Sequence, residues 1–190
     1  MSKCLSRKTK CKLIPRIVAA IDNKMENDAD LGSSGTKADT AVKLIRLYAN
    51  VSIHPDAGRS VAVNEAVIRP LIKVLAECRR RPDTALQSVL LPTLATLNNL
   101  SFYPIILCAE IYEQLKHYVC SPDELVSVEA IRVMGNLSRR REIRAKLSED
   151  DFLREIFEVV KESDNRNRDI CFSCETILKF NNSRGNNYVF

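Results

Sequence analysis

Side chains able to do chemistry are few and scattered in this 190-residue sequence. The two histidines, His54 and His117, have no Cys or Asp at metal-ligand spacing beside them. Cys171 and Cys174 form a single C-x-x-C, whereas a structural zinc site needs four ligands and so a second pair. No phosphate loop, dinucleotide fingerprint, nucleophile elbow or H-E-x-x-H stands in the chain. The paired acids Asp150 and Asp151 lie at an expected helix start, where the helix dipole accounts for them. The expectation is therefore a non-enzyme with no catalytic residue, no cofactor and no metal.

The residues that do recur with a fixed chemistry are asparagines. Leu47-Tyr48-Ala49-Asn50-Val51-Ser52, Leu97-Asn98-Asn99-Leu100-Ser101 and Met134-Gly135-Asn136-Leu137-Ser138 end alike, with Asn50, Asn99 and Asn136 separated by 49 and then 37 residues. A weaker copy, Ile177-Leu178-Lys179-Phe180-Asn181, follows 44 residues later with Phe180 in the Asn position. An amide offers two donors and an acceptor, so it can pair with a peptide unit whatever the side chain attached to it.

The elements that must position these amides also repeat. Ile14, Ile17 and Ile21 are spaced i, i+3, i+7, and so are Ile68, Leu71 and Leu75, then Tyr112, Leu115 and Val119, then Leu153, Ile156 and Val160. Each set is one face of a helix. Full burial of one such side chain contributes about 1.5–3 kcal/mol, and no single unit can bury the face alone, so units must stack. Long helices are predicted at 37–52, 83–101, 122–138 and 165–180. Shorter ones are expected near 56–63, 103–108 and 140–147, and triplet helices near 12–22, 66–79, 109–120 and 150–162. Ser121 reads as an N-cap with Pro122 at the first helical position, Asp83 as another cap, and Ser148 as the start of a further helix. Pro92 should bend the second long helix. No strands are expected.

A period of 40–47 residues with two or three helices per unit describes armadillo and HEAT arrays. Ala66-Val67-Ile68-Arg69-Pro70-Leu71-Ile72-Lys73-Val74-Leu75 resembles the second armadillo helix, proline included, and the segment from Ser127 to Ser138 resembles the third. The resemblance covers residues 12–180. It implies an all-α, right-handed superhelical solenoid of about three near-complete repeats between partial terminal ones. The 127–138 segment, Asn98–Tyr103 and Asp169–Ser173 further resemble one branch of the family, which is associated with assembly of motile cilia and flagella. The glycine usual before the second helix is Ala66 here.

The resemblance implies that the third helices line a concave groove holding an extended peptide, with Asn50, Asn99 and Asn136 aimed at its backbone. The competing role for these amides is to cap backbone groups between helices. One turn before each Asn stand Arg46, Ala95 and Arg132, where nuclear-import adaptors of this family usually carry Trp; this chain has none. Lys43, Arg46 and Arg132 suit an acidic partner through charge-assisted hydrogen bonds, while Glu129 on the same face makes the groove mixed.

Residues 1–21 hold six basic side chains and no acid, leaving 23 basic and 24 acidic ones in the rest. Residues 1–11 are expected to be a disordered basic tail, 12–180 the repeat domain with a flexible loop at 22–37, and 181–190 a polar end. The longest apolar stretch, Phe102 to Ala109, is far short of the roughly 20 residues of a membrane span. Seven cysteines, an odd number in helical patterns, fit reduced thiols in the cytoplasm or nucleus. The expected partner is a protein supplying an extended, partly acidic segment, with the chain a monomer or weakly self-associating. Two alternatives stay open: a nucleic-acid-associated protein using tail 1–12 with Arg79–Arg81 and Arg139–Arg141, or a truncated fragment whose end faces self-associate.

Overall fold

The computed structural model describes residues 34–80 and 84–149, with 152, 154, 156 and 177. Seven continuous helices follow one another among the described residues: α1 Ser34–Ile53, α2 Pro55–Ala62, α3 Glu65–Arg80, α4 Thr84–Ser101, α5 Cys108–Leu115, α6 Glu124–Leu137 and α7 Arg141–Glu149. Among the described residues there is no strand, and no helix is long and apolar enough to cross a membrane.

Packing follows the repeat. The Asn-bearing helices α1, α4 and α6 form one layer, α4 lying between the other two. The triplet helices α3 and α5 form a second layer against each other and against α4 and α6 respectively. The fold is an armadillo-like α-solenoid. The two described triplets meet between these layers: Ile68, Leu71 and Leu75 are buried, and so are Tyr112, Leu115 and Val119. Ile156 of the fourth triplet is buried as well. One continuous core therefore runs through the stack instead of a separate core in each unit.

Several local expectations are corrected. The segment expected to be helical at 103–108 is not; helix resumes only at Cys108. Pro104 lacks a donor, and Ile106 N–H instead reaches back to Ala62 O at the end of α2 (3.0 Å), while Leu107 takes a left-handed backbone (φ 54°) before α5. The buried Ile105 pins this connection to the core. In the third repeat the connection therefore occupies the place that α2 takes in the second. The cap of α6 is Asp123, not Ser121: its carboxylate accepts Leu125 N–H (3.0 Å) and Val126 N–H (3.3 Å). Ser121 Oγ accepts Asp123 N–H and so holds the cap itself. Asn64 caps α3 by accepting Ala66 N–H (3.1 Å).

Helix α1 begins at Ser34, so the last four positions of the expected 22–37 loop are helical. Ser148 lies in the last turn of α7. Helix α4 continues through the buried Pro92, and the Thr93 and Thr96 hydroxyls donate to Val89 O and Pro92 O one turn back. The tail 1–11, the triplet at 14–21, the cap Asp83, the C-x-x-C pair and the end 181–190 lie outside the described residues.

Candidate functional site

The layer formed by α1, α4 and α6 carries all seven residues singled out for partner binding. Their helices are brought side by side, but the side chains divide into two groups. Lys43, Arg46 and Asn50 lie exposed along one face of α1 at i, i+3, i+7 spacing. Asn99, Glu129 and Asn136 are half-buried and bonded to a neighbouring helix, and the half-buried Arg132 pairs with Glu129 of its own helix.

The ties are specific. Asn99 Nδ2 donates to Ala49 O of α1 (2.9 Å), and the Thr96 hydroxyl reaches Ile45 O of the same helix (3.2 Å). Across the next seam, Asn136 Nδ2 donates to both Asn98 Oδ1 (3.0 Å) and Ser101 Oγ (2.9 Å). Asn98 Nδ2 in turn donates to Glu129 Oε2 (3.2 Å), whose other oxygen receives Arg132 Nη1 (2.6 Å). Two of the three marked amides thus bond the preceding helix of the layer: Asn99 bonds a backbone carbonyl, whereas Asn136 bonds the side chains of Asn98 and Ser101. Asn98 and Ser101 were not singled out from the sequence. The tandem Asn98-Asn99 was the available signal, since two adjacent amides on a helix cannot face the same way.

Glu129 sits between two donors, so the Arg132 charge is already matched from within. An incoming carboxylate has to compete with Glu129 for Arg132, and Lys43 and Arg46 lie exposed on α1. The electropositive part of this face is therefore its α1 side.

This network makes a first prediction. Asn136→Ala strips donors from Asn98 Oδ1 and Ser101 Oγ in a half-buried site and is expected to cost about 1–3 kcal/mol in urea unfolding. Asn50→Ala, on an exposed side chain, is expected to stay within about 0.5 kcal/mol.

No candidate catalytic arrangement joins these groups. His54 is exposed between α1 and α2, and His117 contacts Arg79 after α5; burial and then the Arg79 charge lower the pKa of His117. Among the described residues no three His, Cys, Asp or Glu side chains gather to hold a metal. Cys108 is buried and donates to Glu142, and its pKa is pushed up to about 11, first by burial and then by that hydrogen bond. It is a protonated packing residue at neutral pH. Burial likewise pushes up the Tyr118 phenol, which donates to Leu75 O (2.5 Å) and joins α3 to the turn after α5.

The chain is 32% identical over 148 residues to mouse armadillo repeat-containing protein 2. It is an armadillo-repeat relative. The human and bovine proteins of that name are each 31% identical over 146 residues. Each of the three matches covers 74% of this chain and 16% of the curated protein, so the chain spans about a sixth of the length of these armadillo relatives. No family model matches the chain, and no solved structure matches it.

Proposed function

We propose that this chain is a non-catalytic protein-interaction scaffold whose α1–α4–α6 layer receives an extended, partly acidic segment of a partner protein. The observation that carries this reading is the side-by-side placement of the three Asn-bearing helices with Lys43 and Arg46 exposed on the α1 side. Lysine and arginine together offer carboxylates both point-charge and bidentate pairing. The ordered seams below them keep that surface in one geometry, which lowers the entropy lost on binding. In this reading the stack winds to the right, as the family resemblance implies. The same resemblance supports a role in the assembly of motile cilia or flagella, in the cytoplasm or within the organelle.

The experiment is affinity capture from the source cells with the native chain and with Lys43→Glu/Arg46→Glu, followed by mass spectrometry. Both side chains are exposed, so far-ultraviolet circular dichroism should be unchanged. Proteins carrying acidic extended segments should be retained by the native chain and lost from the double variant. An identical set of retained proteins from both would overturn the reading.

A further inference from the structure

Several cations on the described surface pair with carboxylates. Arg69 pairs with Glu65 and Glu110, Arg80 with Glu77, Arg132 with Glu129, and Lys116 and Lys146 with Glu113. The corner between α6 and α7 departs from this pattern. It carries Arg139, Arg140 and Arg141 in succession, and among the described residues no carboxylate pairs with any of them. Glu142, the nearest acid in sequence, receives the Cys108 thiol instead.

Only part of this arginine run has a structural task. Arg140 donates to Tyr103 O (2.6 Å), fixing the α4–α5 connection, and Arg144 donates to Ser138 O and Arg139 O at the carboxyl end of α6. Arg144 thus satisfies carbonyls just past the end of α6, and Arg140 one in the α4–α5 connection. Arg139 and Arg141 are exposed and do neither. The Arg139 guanidinium lies over the Phe102 ring, 5.9 Å from its centroid. Phe102 itself is 60% exposed, an aromatic left in water at the end of α4. A guanidinium held over an aromatic ring by cation–π attraction still has N–H donors to offer a carboxylate.

We propose that Phe102, Arg139 and Arg141 form a second docking point, for an acidic peptide segment that carries an apolar side chain next to its carboxylates. The carboxylates pair with the two arginines, and the apolar group covers Phe102. Charge complementarity fixes the occupant: a patch of two exposed arginines and one aromatic fits a short acidic motif. Apart from residues 1–21 the chain carries 23 basic and 24 acidic side chains, which gives no extended field for a phosphate backbone. This point does not depend on the α1 face, since none of its residues lies on α1.

The test uses the full chain and two fluorescein-labelled twelve-residue peptides, one alternating glutamate pairs with phenylalanine and one of glutamate and serine. Fluorescence anisotropy is read at fixed salt. Arg139→Glu/Arg141→Glu should weaken the glutamate–phenylalanine peptide by about tenfold or more, a loss of the size expected for charge-assisted pairs. Phe102→Ala should weaken that peptide and leave the glutamate–serine peptide within about twofold. The effects of Arg139→Glu/Arg141→Glu and Phe102→Ala should persist in a Lys43→Glu/Arg46→Glu background, which removes any share of binding at the α1 face. The proposal is overturned by no binding to the native chain, or by equal binding to the Arg139/Arg141 variant. It is equally overturned by loss confined to the Lys43/Arg46 variant, or by a labelled single-stranded oligonucleotide binding this corner more tightly than either peptide.

Discussion

Tyr112→Ala is expected to lower the unfolding free energy by about 3–5 kcal/mol, the range for removing a large aromatic from a closed core. Tyr112 is fully buried at the centre of its triplet helix. Its ring meets Phe152 edge-on, with centroids 6.2 Å apart and planes at 83°, and the Lys116 and Lys146 ammonium groups stand 5.7 and 5.8 Å from its centroid. One side chain thus joins α5 to the residues that follow α7. In a stack held by nearest-neighbour seams, loss at one seam uncouples what lies beyond it. Urea unfolding followed by circular dichroism should show a lower midpoint together with a shallower slope, because the two sides no longer melt as one. Tyr112→Phe keeps the ring and is expected to cost no more than about 1.5 kcal/mol, the net worth of one hydrogen bond. Equal losses in the two variants would show that the ring is not the joint.

Gly58→Ala should destabilise the chain by about 1–3 kcal/mol, against the direction that helix propensity gives. Gly58 lies inside α2, where alanine is ordinarily better by about 1 kcal/mol. A Cβ here, however, would come 2.3 Å from the Tyr103 ring and 2.4 Å from Ser52 O. The ring can swing, but the carbonyl belongs to the last turn of α1 and cannot move without opening the α1–α2 junction. Thermal melts of Gly58→Ala and of Ser60→Ala, on the exposed side of the same helix, separate the two effects. The first should fall by several degrees, of the order of 4 °C or more. The second should hold or rise.

The stacking of helices was legible in the sequence because the force that drives it is written in a period. Ile68, Leu71 and Leu75, and Tyr112, Leu115 and Val119, are buried as their i, i+3, i+7 spacing predicts, since the helical repeat alone decides which side of the helix they share. Legibility fails where a residue's partner is distant in the chain. The 103–108 segment has an acceptable local composition for a turn of helix, but Pro104 and the bond from Ile106 to Ala62, 44 residues away, decide otherwise. The same holds for the asparagines. Asn99 and Asn136 stand where the repeat puts them, yet their hydrogen bonds go to Ala49, Asn98 and Ser101, choices set by how closely α1, α4 and α6 approach. A capping residue can be missed by two positions for a gentler reason: Ser121 and Asp123 both qualify, and the structure uses both, one holding the other.

Asn98 and Asn99 are consecutive, and they grip opposite neighbours: Asn99 holds α1, while Asn98 receives Asn136 and reaches Glu129 on α6. Helix α4 is therefore pinned on both flanks from a single turn near its carboxyl end, whereas Gln87, in its amino half, donates to Cys78 O of α3 alone (3.4 Å). Under tension or torsion the stack should pivot about this turn as a hinge pin, opening at the far end first. A partner that wedges between helices will find its entrance there, and a force-spectroscopy trace should place the first yield at that end.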